Sequence, residues 1–156
     1  MARDATFESF YRSGFDTVLR AARAFCGHRD VAYEATQEAF ARAYARWGRL
    51  GKEDWARAWT TTTALNLCRD HYRRAGRPLP EVELHTRGPN ERRVDMLAAL
   101  RRLPERQREA VVLHYLVDCP VIVVAAAMNL SEGAVKAHLF KGRKALKVAL
   151  EVHHAG

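Results

Sequence analysis

The densest set of side chains suited to binding a polyanion lies between Pro120 and Lys147. An apolar run from Val121 to Met128 is followed by Asn129-Leu130, by Ser131, and then by a stretch carrying Lys136, Lys141, Arg143 and Lys144. Asparagine tolerates the left-handed backbone that stops a helix, and serine caps the start of the next one. The segment therefore reads as helix, tight turn, helix. A second helix of this kind enters the DNA major groove and sets its N-terminal side chains against base edges. Here those positions are Ser131, Glu132, Gly133, Ala134, Lys136, Ala137 and His138. Lys136, Lys141, Arg143 and Lys144 are placed to reach phosphates, and the helix terminus adds partial positive charge. Val135, Leu139 and Leu146 should face inward. The same spacing also fits an amphipathic helical hairpin whose basic face is simply solvated.

Other chemistry is poorly supplied. The chain has no Gly-rich phosphate loop, no Ser/His/Asp order and no paired-carboxylate pocket, so catalysis is not expected. Cys26, Cys68 and Cys119 are scattered and form no Cys-x-x-Cys pair, which predicts buried, reduced thiols. The seven histidines share no ligand spacing, so neither a metal nor a cofactor is expected. The formal net charge of +8 favours nucleic acid as a partner but does not single it out. No apolar run approaches the ~20 residues needed to span a bilayer, and no signal-peptide core follows Met1. A cytoplasmic location is the expectation.

With 48% hydrophobic and 28% charged residues, a folded chain is expected. Segments rich in Ala, Arg, Leu and Glu predict helices, and no strand pattern competes with them. The spacing predicts a helix over 6–25, a second over 30–47 capped by Asp30, and a third over 54–75. Proline and glycine at 78, 80, 88 and 89 predict a flexible linker from Gly76 to Asn90. A helix follows from Glu91 to Leu103. Pro104 opens the next, which carries Val111, Val112, Tyr115 and Leu116. Asp118-Cys119-Pro120 forms a turn, Pro120–Met128 is a short helix, and the last helix covers 132–152. The fold class is all-α: two small helical modules, 1–75 and 91–156, joined by the linker 76–90.

Leu103-Pro104-Glu105-Arg106-Gln107-Arg108-Glu109, followed by Leu130-Ser131-Glu132-Gly133-Ala134-Val135-Lys136, resembles region 4 of the extracytoplasmic-function sigma factors of the sigma-70 family. The family wording there is L-P-x-R-Q-R-E and then S-x-G-T-V-K. Ala32 through Phe40 is similar to the family's region 2 block A-E-D-L-V-Q-E-x-F. Trp59 through Asn66, with Asp70, Arg73 and Arg74, is similar to its W-x-x-x-x-x-x-N-x-x-x-D-x-x-R-R stretch. The chain departs from the family at Val123-Val124-Ala125 (usually Glu-Ile-Ala), at Met128-Asn129 (Leu-Gly), at Ala134 (Thr), at Tyr33, Ala35 and Thr36, and at the run Thr60 to Thr63.

The resemblance implies a protein that directs RNA polymerase to promoters. Glu34, Gln37, Glu38 and Phe40 would bind the β′ clamp helices of core polymerase, and the second module would meet the β flap. Arg49, Lys52, Trp55, Trp59, Asn66, Arg69, Tyr72, Arg73 and Arg74 would hold the opened −10 element, since rings and guanidinium planes stack on unpaired bases while cations grip the backbone. The last helix would read the −35 element as duplex. An anti-sigma factor is a partner that similar proteins commonly have. For the tryptophans, packing in a core or interface is the plainer role, and Asn66 could equally serve a local hydrogen bond. Two other readings stay open: a helix-turn-helix regulator acting without polymerase, and a sigma-like decoy that binds polymerase without recognising promoters.

Overall fold

The computed structural model describes residues 2–51, 53–77, 79 and 91–155. Every regular element among them is helical. Helices α1 (Ala2–Cys26), α2 (Arg29–Ala45) and α3 (Glu53–Arg74) pack on one another as the first module. Helices α4 (Glu91–Arg102), α5 (Glu105–Val111), α6 (Val121–Met128) and α7 (Glu132–Ala155) make the second, with a π-helical turn at Val112–Leu116 after α5. The expected linker falls on residues that lie, apart from Gly76, Arg77 and Leu79, outside the described residues.

The first module has two sub-cores. An aromatic cluster of Phe10, Phe15, Phe40 and Trp47 joins α1 to α2, with Phe10 and Phe40 5.4 Å apart at their centroids. A second cluster gathers Phe25, Cys26, Ala32, Leu65 and Cys68. Phe25 and Phe40 are almost fully buried, and each contributes about 2–3 kcal/mol of burial free energy. The threonine run is accommodated inside α3 because Thr60, Thr61 and Thr63 each donate to the carbonyl four residues back, at 2.8 Å. That bond satisfies hydroxyls that would otherwise be left dry.

Three local expectations are corrected. The cap of α2 is His28, not Asp30: its backbone is extended and its Nδ1 accepts from the Val31 amide at 3.3 Å. Asp30 instead lies in the first turn of α2, where a negative charge suits the helix dipole. The helix expected after Pro104 does not continue in α form through Leu116. It widens into the π turn, closed by the Val117 amide on the Val112 carbonyl, and leaves Val112, Leu113 and Val117 all fully buried. The last helix extends to Ala155 rather than ending at Val152.

The turn before α7 forms as expected. Asn129 adopts the left-handed conformation (φ 55°, ψ 48°), and Ser131 Oγ accepts from the Ala134 amide at 3.1 Å. Val135 and Leu139 are buried and Leu146 is partly buried. Gly142 was not anticipated as a packing residue: a Cβ there would stand 2.7 Å from Val111 Cγ2, so its absence lets α7 close on α5. The three cysteines are free and buried.

The modules do not stand apart. Ala21 and Ala24 of α1 and Ala58 of α3 belong to the same apolar cluster as Leu100, Leu103, Leu113, Val117 and Met128. The seam is formed by α1 and α3 on one side and by α4, the π turn and α6 on the other.

Candidate polymerase and nucleic-acid faces

The first face lies on α2. Glu34, Gln37 and Glu38 are exposed there. Glu38 pairs with Arg42 one turn on at 3.1 Å, and Gln37 Nε2 donates to the Tyr33 hydroxyl at 3.3 Å. Phe40, expected in the contact set, is only 1% exposed and packs against Phe10 and Phe15, so it shapes this face from beneath. Phe7, Tyr11, Gln37, Phe40, Ala41 and Tyr44 line a mostly apolar groove of about 330 Å³ between α1 and α2. A larger groove of about 520 Å³ between α2 and α3 is polar, and Glu34, Arg42, Asp70, His71 and Arg74 lie on its walls. Glu34 and Arg74, expected to meet different partners, thus share one surface.

The second face follows α3. Arg49 is exposed in the turn before it, and Lys52 lies outside the described residues. Trp55 is 40% exposed. Trp59 is half-buried against the aromatic sub-core, with the Arg46 guanidinium 5.5 Å from its ring centroid. Trp47 packs in the same place and donates from Nε1 to the Thr6 hydroxyl at 2.9 Å. Packing therefore accounts for Trp47 and largely for Trp59, while Trp55 keeps a face for stacking. Arg73 and Arg74 are exposed, and Arg73 pairs with Asp70. Tyr72 packs against the Phe25 sub-core, and its hydroxyl has no hydrogen-bond partner among the described residues.

Arg69 is committed elsewhere, while Asn66 stays exposed on α3 and accepts a bond from it. Arg69 donates from Nη1 to Asn66 Oδ1 at 2.6 Å, from Nε to Glu105 Oε1 at 2.5 Å and from Nη2 to Glu109 Oε2 at 2.6 Å. Burial pulls its guanidinium down, but the Glu109 charge and the two carboxylate hydrogen bonds outweigh this and hold it above its usual range. Glu109 is 2% exposed and accepts a second bond from Arg106 at 3.2 Å. Two carboxylates of the second module thus hold a cation of the first.

Two buried arginines that sequence reasoning missed complete the seam. Arg108 donates to the carbonyls of Phe25, Arg101 and Leu103 at 2.8, 2.6 and 3.2 Å. Its guanidinium and that of Arg69 lie 5.6 and 4.8 Å from the Phe25 ring centroid. Arg101 is 5% exposed, and its Nε and Nη1 have no hydrogen-bond partner among the described residues. Burial lowers it to about 10, so it remains charged at neutral pH. Alternation within Arg101, Arg106 and Arg108 gave no sign of which would be buried. The only hint was that Glu105 and Glu109 stand four apart on α5.

The third face is the N-terminal half of α7. Ser131, Glu132, Gly133, Lys136, Ala137 and Lys141 are exposed, and Ala134 and His138 are half-buried. Ser131 spends its hydroxyl on the cap. Arg143 donates from Nη1 to the Tyr115 hydroxyl at 2.7 Å, which ties it to the π turn. Lys144 is exposed. The arrangement offers a compact basic ridge with a small-residue front at Gly133 and Ala137, able to come close to a groove floor.

The family description Sigma-70 region 2 matches residues 10–78, and Sigma-70, region 4 matches residues 93–146. The ECF RNA polymerase sigma factor BldN of Streptomyces coelicolor is 30% identical over 90% of this chain, which spans 58% of that protein's length. The RNA polymerase sigma-E factor of Streptomyces avermitilis is 28% identical over 93% of the chain and 85% of its own length. Among solved structures, the sigma factor RpoE of Bartonella quintana, in complex with the anti-sigma factor NepR, superposes with a TM-score of 0.77 at 20% identity, covering 94% of this chain and 98% of that one. CnrH, in complex with the cytosolic domain of CnrY, gives 0.73 at 24% identity over 96% and 90%. These two likenesses concern the fold. Regions 2 and 4 occur in that order and together take in most of the residues, so the chain belongs to the sigma-70 family of RNA polymerase sigma factors.

Proposed function

We propose that this chain directs RNA polymerase to promoters, with the work divided between its modules. The exposed α2 residues Glu34, Gln37 and Glu38, beside the apolar groove, engage core polymerase. Trp55, Arg73 and Arg74 of α3 meet the opened −10 element, joined by Arg69 and Asn66 when these are free. The N-terminal half of α7 reads the −35 duplex, and the second module docks on the polymerase flap. The observation that carries this reading is the exposed front of α7: a helix capped by Ser131 after a left-handed Asn129, with Lys136 and Lys141 outward and Val135 and Leu139 inward. That is the geometry a groove-reading helix requires.

The chain performs no catalytic step in this reading and needs no cofactor. It acts in the cytoplasm, where polymerase is. No helix among the described residues is long and apolar enough to cross a membrane. The relatives seen with anti-sigma proteins make such a regulator a natural partner here too.

The test is transcription in vitro with purified core polymerase, followed by sequencing of the RNA 5′ ends. Initiation at a recurring upstream sequence is expected. A chain that binds core enzyme but starts nowhere in particular is a decoy. One that binds duplex DNA but leaves core enzyme alone is an independent regulator.

A further inference from the structure

Two thiols meet in the second sub-core of the first module. Cys26 is the last residue of α1, and Cys68 lies on α3. Both are free and fully buried, and they hydrogen-bond to each other. The Cys26 sulfur also lies 3.7 Å from the His28 carbonyl oxygen. Cys119, the third thiol, is buried in the other apolar cluster, among residues of α5, α6 and α7.

Packing explains a buried thiol, but not the polar groups around this pair. The Arg101 guanidinium is buried, its Nε and Nη1 have no hydrogen-bond partner among the described residues, and its charge acts on Cys26 and Tyr72. The Tyr72 hydroxyl, likewise without a hydrogen-bond partner among those residues, stands within electrostatic reach of both sulfurs. The sulfurs are also unlike each other. The hydrogen bond from Cys68 pulls Cys26 below the usual thiol range; burial opposes this, and the His28 backbone and the Arg101 charge assist it. The same hydrogen bond, with burial, pushes Cys68 far up. A thiolate that forms here therefore sits on Cys26 with a protonated thiol in contact, the pairing of an attacking and a resolving sulfur. Protonated sulfurs give Arg101 no counter-charge, whereas ionised Cys26 does.

The geometry points to Cys26 and Cys68 as a peroxide-oxidised dithiol, Cys26 attacking and Cys68 resolving, which closes into a disulfide joining α1 to α3. In the first step the Cys26 thiolate attacks one peroxide oxygen. The S–O bond forms, the O–O bond breaks, and hydroxide leaves, giving a sulfenic acid on Cys26. In the second step the Cys68 sulfur attacks the Cys26 sulfur. The S–S bond forms, the S–O bond breaks, and the hydroxyl departs as water with the Cys68 proton. Overall two thiols and one hydrogen peroxide give one disulfide and two waters; the sulfurs are oxidised and the peroxide oxygens reduced. Burial excludes bulky reagents, but peroxide is small, and Cys26 sits at a helix end beside Gly27, where φ is 80° and local opening is easiest. The bridge closes residues 26–68 into a loop that holds all of α2 and most of α3, so it fixes the candidate polymerase helix against the candidate −10 helix.

The test treats the full chain with hydrogen peroxide, denatures it in N-ethylmaleimide and maps the peptides by mass spectrometry. A Cys26–Cys68 bridge is expected, with Cys119 alkylated. The oxidised chain should melt roughly 5–10 °C higher, through the shortened unfolded chain, and peroxide-treated Cys26→Ser should not. In Cys68→Ser, Cys26 loses its resolving partner and should take up dimedone, the trap for sulfenic acid; in Cys26→Ser, Cys68 should take up none. Arg101→Met should slow bridge formation about threefold or more, and Arg101→Lys, which keeps the charge, should restore it. Wild-type chains with no Cys26–Cys68 bridge, or with Cys119 oxidised as fast as Cys26, overturn the proposal whatever the variants do. A bridge that lowers the melting temperature overturns it as well, since the sulfurs would then have to be forced together. Dimedone on Cys68 in Cys26→Ser overturns the assignment of roles, and equal rates in Arg101→Met and Arg101→Lys overturn the part given to Arg101.

Discussion

Helices α3 and α7 both carry basic residues expected to meet DNA, and they hold them in opposite ways. Lys136 and Lys141 of α7 stand in solvent, on a helix whose inner face is fixed by Val135 and Leu139. Arg69 of α3 is bound by a neighbouring module that supplies a 2% exposed carboxylate. The duplex-reading face is therefore ready in the free chain, and the strand-holding face is partly spent. A cation counts as a binding residue only when its pairing in the free state is known. Position on a helix does not reveal that.

The comparison can be broken first at Glu109. Glu109→Ala removes the buried partner of Arg69 and Arg106 and should cost about 2–3 kcal/mol, the usual penalty for a broken buried pair reduced because both arginines reach solvent. Urea unfolding would measure it. A loss below ~0.5 kcal/mol, the range of an ordinary surface change, would show that the seam is incidental.

Next come the two glycines of α7. Gly142→Ala should destabilise the second module by about 1–2 kcal/mol, because the new methyl meets Val111 at 2.7 Å on a stiff β-branched side chain. Gly133→Ala, with only the Ser131 hydroxyl at 3.9 Å, should stabilise it by up to ~1 kcal/mol through helix propensity. Melting temperatures that shift alike would refute the close approach of α7 to α5.

A smaller effect of opposite sign is expected at the seam. Arg101→Met removes a buried guanidinium whose Nε and Nη1 have no hydrogen-bond partner among the described residues and should raise stability by about 1 kcal/mol. A destabilised Arg101→Met chain would mean that Arg101 has an unseen counter-charge.

The least perturbing pair sharpens the α7 side. Lys136→Ala and Lys141→Ala should leave unfolding unchanged within ~0.5 kcal/mol. Each should make the slope of log affinity for promoter duplex against log salt shallower by about 0.9. A slope that stays put removes that lysine from the phosphate contacts.

Much of the architecture was legible. Periodic apolar and small residues located most of the α-helices, since one-sided burial needs a repeat near 3.6, and the unbroken apolar run at Val121–Met128 located α6. Asn129 and Ser131 marked the turn because each satisfies a local backbone demand. The misses have equally local reasons. Asp30 and His28 can both accept an amide proton, and only the extended backbone at His28 decided between them. The π turn at Val112–Leu116 depends on which side chains must reach a shared core, and no residue type announces that. Phe40 sat in a contact motif, yet a ring ringed by Phe10, Tyr11 and Phe15 is core.

The sequence by itself determined the helices, the two-module order, the capped basic helix and the family, because these rest on local periodicity, capping chemistry and motif wording. Tertiary structure alone decided that the modules dock, that Arg101 and Arg108 are buried while Arg106 reaches solvent, and that Arg69 is held by Glu105 and Glu109. Those facts depend on residues 36 to 83 positions apart meeting across a seam. Charge type and spacing along a helix cannot report on such a meeting, since a guanidinium is equally soluble facing water and equally satisfied facing a carboxylate or a carbonyl.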